Sequence, residues 1–272
     1  MRAQDKVVVI TGASMGIGEA VAAEFLSEGA RVVLCSRDPQ RAQAACQRVG
    51  SPDRTFAFAC DVTSAAQIEA LAKATLDRYG RIDVWINNAG VGLKDSVERM
   101  SITDCRRLFD TNFFGAIAGM QVAIPVMKRH GSGCIINISS VAGHIAVPFM
   151  AAYCASKHAL NAIGKAARLE LKGTAVNVLT VCPGYVATDF GKNSLPGLDS
   201  FRVSAAQRGI SPTRVARAVF NGYLNNRREV IVPWRDRLAI WLYHQLPGLV
   251  ETAMLRLLKP AEQAPAEAAR NQ

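Results

Sequence analysis

Residues 5–18 read Asp5-Lys6-Val7-Val8-Val9-Ile10-Thr11-Gly12-Ala13-Ser14-Met15-Gly16-Ile17-Gly18, and Glu19 to Leu26 continues with apolar residues at helical spacing. A β-branched run, a glycine cluster and an amphipathic helix in direct succession predict a strand–loop–helix unit. Glycines there let the backbone approach a pyrophosphate, whose charge sits against the N-terminal N–H groups of the helix. The spacing G-x-x-x-G-x-G differs from the general dinucleotide fingerprint G-x-G-x-x-G. A glycine cluster alone reads as well as a tight turn. Its place between a strand and a helix makes it a cofactor loop, with Gly12, Ser14, Gly16, Ile17 and Gly18 as contact residues.

Outward from this unit the same alternation runs down the chain. Strands are expected at Val7–Ile10, Arg31–Ser36, Thr55–Cys60, Asp83–Asn87, Cys134–Ser139, Val176–Cys182 and Val230–Pro233. Helices are expected near 16–28, 39–48, 64–78, 101–129, 151–171 and 212–225. Short Val/Ile-rich runs between helical segments give a doubly wound α/β fold, a Rossmann-like parallel sheet with helices on both faces. Right-handed crossovers give the strand order 3-2-1-4-5-6-7, with ligands bound where the order reverses, at the carboxyl ends of the strands. Residues 183–211, rich in Gly and Pro, are too long for an ordinary connection and read as a lid. The organisation expected is one dinucleotide-binding and catalytic domain over 1–235, an amphipathic helical extension over 236–259 and a disordered tail over 260–272.

Composition narrows the class. A chain of 272 residues with 50% hydrophobic content can bury one large core. Its seven cysteines show no C-x-x-C spacing and sit mostly in apolar runs, so they are expected to be buried thiols in a reducing compartment, with no metal set among the site residues. A strand beginning at residue 7 leaves no room for a signal peptide, and the expected location is the cytoplasm. From Arg202 onward there are eleven Lys/Arg against five Asp/Glu, which supplies +6 of the net +10. These arginines are scattered, without interleaved aromatics or a docking helix, so nucleic acid is not expected as a partner.

Candidate site residues fall at the predicted strand ends. Strand 2 finishes in Ser36-Arg37, where an NAD-selective site carries a carboxylate that binds the ribose 2′-hydroxyl. A small residue followed by arginine suits the 2′-phosphate of NADP instead. Asp38-Pro39 reads as an N-cap and N1 pair. Asp61-Val62 follows strand 3, where the Asp could accept from an adenine amino group or cap the next helix. Asn88-Ala89-Gly90 follows strand 4 and reads as a cofactor wall or a plain turn. After strand 5 come Ser139-Ser140 and then Tyr153-Cys154-Ala155-Ser156-Lys157. Tyr at i and Lys at i+4 share a helix face, so the ammonium and an oxidised nicotinamide should bring the phenol toward working pH as a general acid/base.

Thr11–Gly18, Asn87–Gly90, Asn112, Ser140, Tyr153/Lys157 and Pro183-Gly184 resemble, in order and spacing, the single-domain branch of the short-chain dehydrogenase/reductase family, over about residues 5–235. The resemblance implies that Ser140 rather than Ser139 is the catalytic serine and that Lys157 also binds the nicotinamide ribose. It implies that Asn112 holds a water for proton relay, and that Pro183, Gly184, Val186 and Thr188 form the nicotinamide loop. The expected activity is NADP(H)-dependent hydride transfer to or from a carbonyl or secondary alcohol. The rival reading, a catalytically silent NADP-binding sensor or scaffold, should lack a member of the Ser/Tyr/Lys set.

Apolar loop residues Leu93, Val141, Ile145, Val147, Phe149, Met150, Phe190, Leu195, Leu198 and Phe201 suggest a lipophilic substrate, or mere packing of the lid. His144 reads as a solvated loop histidine. Beyond Trp234 the chain exceeds the family's usual end, with apolar stripes at Leu238, Trp241, Leu242 and Leu246 and at Leu249, Val250, Ala253, Met254, Leu257 and Leu258. These would be covered by the lid or by a sister subunit in a homodimer or homotetramer. Alternatively, the flanking arginines would settle them on an anionic membrane as a peripheral contact.

Overall fold

The valine–isoleucine run forms β1 (Val7–Thr11), buried over its whole length. A computed structural model describes residues 1–195 and 209–257. Leu198, Phe201, Leu258 and the 260–272 tail lie outside the described residues. The remaining strands are β2 (Arg31–Ser36), β3 (Thr55–Ala59), β4 (Val84–Asn87), β5 (Gly133–Ile138), β6 (Val176–Pro183) and β7 (Glu229–Val232). All pair in parallel in the order 3-2-1-4-5-6-7, as the sequence predicts, with every strand end within one residue of its expected place.

Helices α1 (Gly16–Ser27), α2 (Pro39–Val49), α3 (Ala65–Tyr79), α5 (Gly115–Arg129), α6 (Ala151–Glu170) and α7 (Pro212–Leu224) cover the two faces. Alternate residues of each strand feed opposite apolar layers. Val8, Ile10, Val32 and Leu34 pack with α1 and α7, where Phe25 meets Phe220 edge-on at 5.0 Å between ring centroids. Val9, Val33 and the fully buried Trp85 pack with α3 and α5.

Two departures from the expected elements matter for the site. The helix expected over 101–129 is broken: α4 (Ile102–Phe109) and α5 are joined by a π-helical turn at Asp110–Phe114, which carries Asn112. Such a turn inserts one extra residue and redirects the side chains that follow. Beyond β7, the two apolar stripes become α8 (Arg235–Gln245) and α9 (Pro247–Leu257). They are largely uncovered: Trp234, Leu238, Trp241, Leu246, Leu249 and Leu255 are all exposed. Within the described residues no helix is long and apolar enough to cross a membrane.

Candidate active site

The glycine loop is shaped by backbone that only glycine takes without strain. Gly12 and Gly16 have φ of +63° and +62°, and a Cβ on Gly12 would stand 2.8 Å from Ala89 Cα. Asn88 pins this loop, its Nδ2 donating at 2.9 Å to the carbonyls of both Thr11 and Gly12. Thr11 Oγ1 returns the contact by accepting from the amides of Asn88 and Ala89 at 3.0 and 3.1 Å. Arg48 braces the other side, bonded to Ser14 O at 2.8 Å and paired with Glu19. Arg48 escapes the sequence reading, and Thr11 stands there only as the start of the loop motif, without a role of its own. Thr11 is instead the last residue of β1, and an arginine on α2 carries no motif.

Ser36 is buried at the tip of β2, and Arg37 beside it is exposed, with no ion pair among the described residues. Asp38 caps α2 as expected, accepting from the amides of Gln40 and Arg41 at 2.9 and 3.2 Å. Asp61 Oδ1 accepts from the amide and hydroxyl of Thr63, both at 2.9 Å, while Ser64 caps α3. Val62 is buried, with its carbonyl 2.8 Å from where a Cβ on Gly115 would lie.

Further along the same rim, the carboxyl ends of β5 and β6 bring Ser140, Tyr153 and Lys157 together. Ser140 Oγ accepts from Ala142 N at 3.1 Å and donates to Pro183 O at 3.4 Å. Lys157 Nζ donates to Ile138 O at 3.0 Å and lies 5.8 Å from the centroid of the Tyr153 ring. Burial lowers the ammonium to about 8. It raises the Tyr153 phenol to about 12, against a hydrogen bond from Ser140 that pulls the other way. The expected lowering by Lys157 together with an oxidised nicotinamide concerns the cofactor-bound site; in the protein by itself burial holds the phenol up. Desolvation of the charged form is the largest cause of that rise.

Asn112 is fully buried in the π turn. Its Oδ1 accepts from Val91 N at 2.8 Å, and its Nδ2 donates to Val91 O and Ser156 Oγ at 3.0 and 3.2 Å. Those contacts tie the loop after Gly90 to α6. Three of the four hydrogen bonds an asparagine amide can make are thus spent on the protein.

The described residues after β6 and before α7 lie against this rim. Pro183 and Gly184 leave β6, the Gly184 amide donating to Val232 O at 2.8 Å, and Val186 bridges to Ile210 so that the two ends of the lid are zipped together. Thr188 caps the turn Asp189–Asn193 and faces the glycine loop, its Cγ2 3.3 Å from where a Cβ on Gly16 would stand. Phe190 meets the Tyr153 ring at 6.0 Å between centroids, and Leu195 N donates to Gly92 O at 2.8 Å. Tyr153 joins Val91, Leu93, Leu108, Ala142, Ala152 and Cys154 in a third apolar cluster, flanked by Val147, Met150 and Leu195. His144 is not solvated as expected: its side chain is 13% exposed and pairs with Glu229 at 3.3 Å. A concavity of about 190 Å³ lies at the amino ends of the strands, beside Lys6, Asp83 and Tyr223, remote from all of these groups.

A parallel sheet with a glycine loop after its first strand and a Ser/Tyr/Lys set beyond its fifth defines a dinucleotide-dependent oxidoreductase fold. Residues 6–198 match the family model described as short chain dehydrogenase, and the chain belongs to the short-chain dehydrogenase/reductase family, oxidoreductases that use a nicotinamide cofactor. It is 35% identical over 240 residues to dehydrogenase/reductase SDR family member 7B of Danio rerio, covering 84% of this chain and 77% of the relative. It is 38% identical over 231 residues to the ketoacyl reductase HetN of Nostoc sp., covering 84% of this chain and 78% of that one. A short-chain dehydrogenase/reductase from Burkholderia phymatum, solved in complex with NAD, superposes with a TM-score of 0.82 at 26% identity, covering 97% of this chain and 99% of that one.

Proposed function

We propose that the protein is an NADP(H)-dependent reductase or dehydrogenase acting on a lipophilic carbonyl or secondary alcohol, with Tyr153 as general acid/base. The observation that carries this reading is the buried Tyr153 phenol, set between Ser140, Lys157 and an apolar wall. The complete Ser/Tyr/Lys set also argues against the silent sensor or scaffold.

The cradle fits a nicotinamide dinucleotide. Gly12, Ser14, Gly16, Ile17 and Gly18 present backbone to a pyrophosphate, while Asp61 and Val62 with Asn88, Ala89 and Gly90 line the adenosine-to-ribose course. Pro183, Gly184, Val186 and Thr188 border the nicotinamide end. The free Arg37 guanidinium beside the small, buried Ser36 suits a 2′-phosphate, which carries about −1.5 to −2 charges. When bound, the nicotinamide gives or takes the hydride.

The chain's own groups move the proton. A phenol held near 12 is fully protonated at neutral pH and donates to the carbonyl oxygen as hydride reaches the carbon. Ser140 holds that oxygen, and Lys157, on the next turn of α6, stabilises the phenolate left behind. In the oxidative direction the phenolate form of Tyr153 accepts the alcohol proton and returns to the phenol. The apolar cluster around Tyr153 and Phe190 supports a lipophilic substrate. The uncovered face of α8 and α9 supports a contact with a sister subunit, and the free buried thiols suit the cytoplasm.

The test is a spectrophotometric screen of carbonyls and alcohols with each cofactor. Turnover with NADPH of an apolar ketone or aldehyde is expected, and Arg37→Ala should raise KM for NADPH about tenfold or more with NADH little changed, the pattern left by losing one charge-assisted contact. Equal losses with both cofactors would make Arg37 structural, and no turnover of any panel member would favour the scaffold.

A further inference from the structure

Behind the Ser140 loop, three potential metal ligands from distant parts of the chain meet. His144 ends the turn after Ser140, Cys182 is the penultimate residue of β6, and Glu229 opens β7. His144 Nε2 lies 3.5 Å from Cys182 Sγ and 3.3 Å from Glu229 Oε1, and the three ligand atoms all fall within 4.8 Å of one another. Tetrahedral zinc with bonds of about 2.0–2.1 Å to nitrogen, 2.3 Å to sulfur and 2.0–2.2 Å to oxygen separates its ligand atoms by about 3.3–3.6 Å. The two spacings from Nε2 are those of such a site.

A second observation points into the same space. Glu229 Oε1 is shut off from solvent yet makes no aligned hydrogen bond, although His144 Nε2 and Lys165 Nζ stand 3.3 and 3.8 Å away. These neighbours hold its carboxyl below the usual range, so it is ionised. The Glu229 oxygen is thus enclosed between an imidazole and an ammonium, and a divalent ion seated among imidazole, thiolate and carboxylate would take over those contacts. Relay chemistry does not explain the group, because Cys182, Glu229 and the Asn161 amide all address Nε2, whereas a nucleophile–base–carboxylate triad uses both ring nitrogens.

We propose that His144, Cys182 and Glu229 form a site for one borderline-soft divalent cation of the zinc class, with the fourth position open to water. Imidazole, thiolate and carboxylate together carry the two negative charges that neutralise such an ion. Binding exchanges the thiol proton for the metal: the S–H bond breaks, an S–metal bond forms and one proton is released to solvent. The charged groups facing the thiol and carboxylate are Lys157 and Lys165 from α6 and Arg237 from α8. Lys165 is 62% exposed and free to swing away. The ion would tie the Ser140 loop to β6 and β7, next to Pro183, whose carbonyl accepts from Ser140.

Cobalt(II) titration of the full chain tests this by absorption. One equivalent should produce a sulfur-to-cobalt charge-transfer band, bleached by one equivalent of zinc. Cys182→Ser should abolish the band, and Glu229→Gln and His144→Gln should each weaken binding by at least about tenfold. Zinc should raise the melting temperature of the wild-type protein and not that of Glu229→Gln, a variant at a half-exposed strand end. Absence of a cobalt–sulfur band in a folded wild-type chain, or an undiminished band in Cys182→Ser, would overturn the proposal.

Discussion

Tyr153 and Lys157 stand one turn apart on α6, and the same desolvation drives them toward a shared neutral state, the phenol up to about 12 and the ammonium down to about 8. Removing only the phenolic oxygen, Tyr153→Phe should lower kcat by at least about 100-fold while cofactor affinity stays within about threefold, since acid–base groups contribute about 10²–10⁴-fold. Stopped-flow turnover and fluorescence titration of the cofactor check this, and a variant keeping a tenth of kcat would remove Tyr153 from the role. The lysine leaves a thermodynamic signature. Between about 8 and its ordinary 10.5, Lys157 is deprotonated in the folded chain and protonated in the unfolded one. The unfolded state then binds more protons, so this residue's contribution to stability rises with pH across that window. The urea midpoint of the wild type should therefore gain on that of Lys157→Met from pH 8 to pH 10. A constant difference would show that Lys157 is not desolvated. At this scale the sequence named Ser140, Tyr153 and Lys157, which the fold brings together, but spacing shows that a cation is near and not how much water both groups lose. The same limit misplaced His144, whose partners Cys182 and Glu229 lie 38 and 85 residues further along the chain.

Among the elements, the π turn at Asp110–Phe114 shows what periodicity cannot reveal. Residues 101–129 keep an apolar rhythm on both sides of the insertion, so the sequence predicts one helix. The π turn is where Asn112 reaches Val91 and Ser156, contacts that no local periodicity announces. Asn112→Ala would orphan the Val91 amide and carbonyl, at about 1–3 kcal/mol for each buried group left unpaired. We expect a lower urea midpoint and a disproportionate loss of kcat, because the loop after Gly90 and the α6 turn bearing Tyr153 lose their common anchor. Unchanged stability would show that this anchor is dispensable. The strands and the other sheet-covering helices were readable because burial on both faces imposes Val/Ile runs closed by Gly, Asn and Asp.

For the whole molecule, the open question of covering falls on α8 and α9. Sequence amphipathicity shows that an apolar face exists, while its cover belongs to surroundings that one chain does not encode. Truncation after residue 235 removes Leu238, Trp241, Leu246, Leu249 and Leu255, all exposed. We expect a smaller assembly by sedimentation velocity and a greater loss of activity on bulky than on small substrates. Unchanged mass and activity would sink the subunit contact, and salt-sensitive flotation of the full chain with anionic liposomes would assign the face to a bilayer instead.

The meeting of Phe25 and Phe220 has a consequence during synthesis. These rings join helices roughly 200 residues apart in the chain. At about 5–20 residues per second, a ribosome exposes the apolar side of α1 for about 10–40 s before α7 emerges to cover it. The nascent polypeptide thus spends most of its production time with its first helix unclosed, a long opening for a chaperone to hold it and for a stalled product to aggregate.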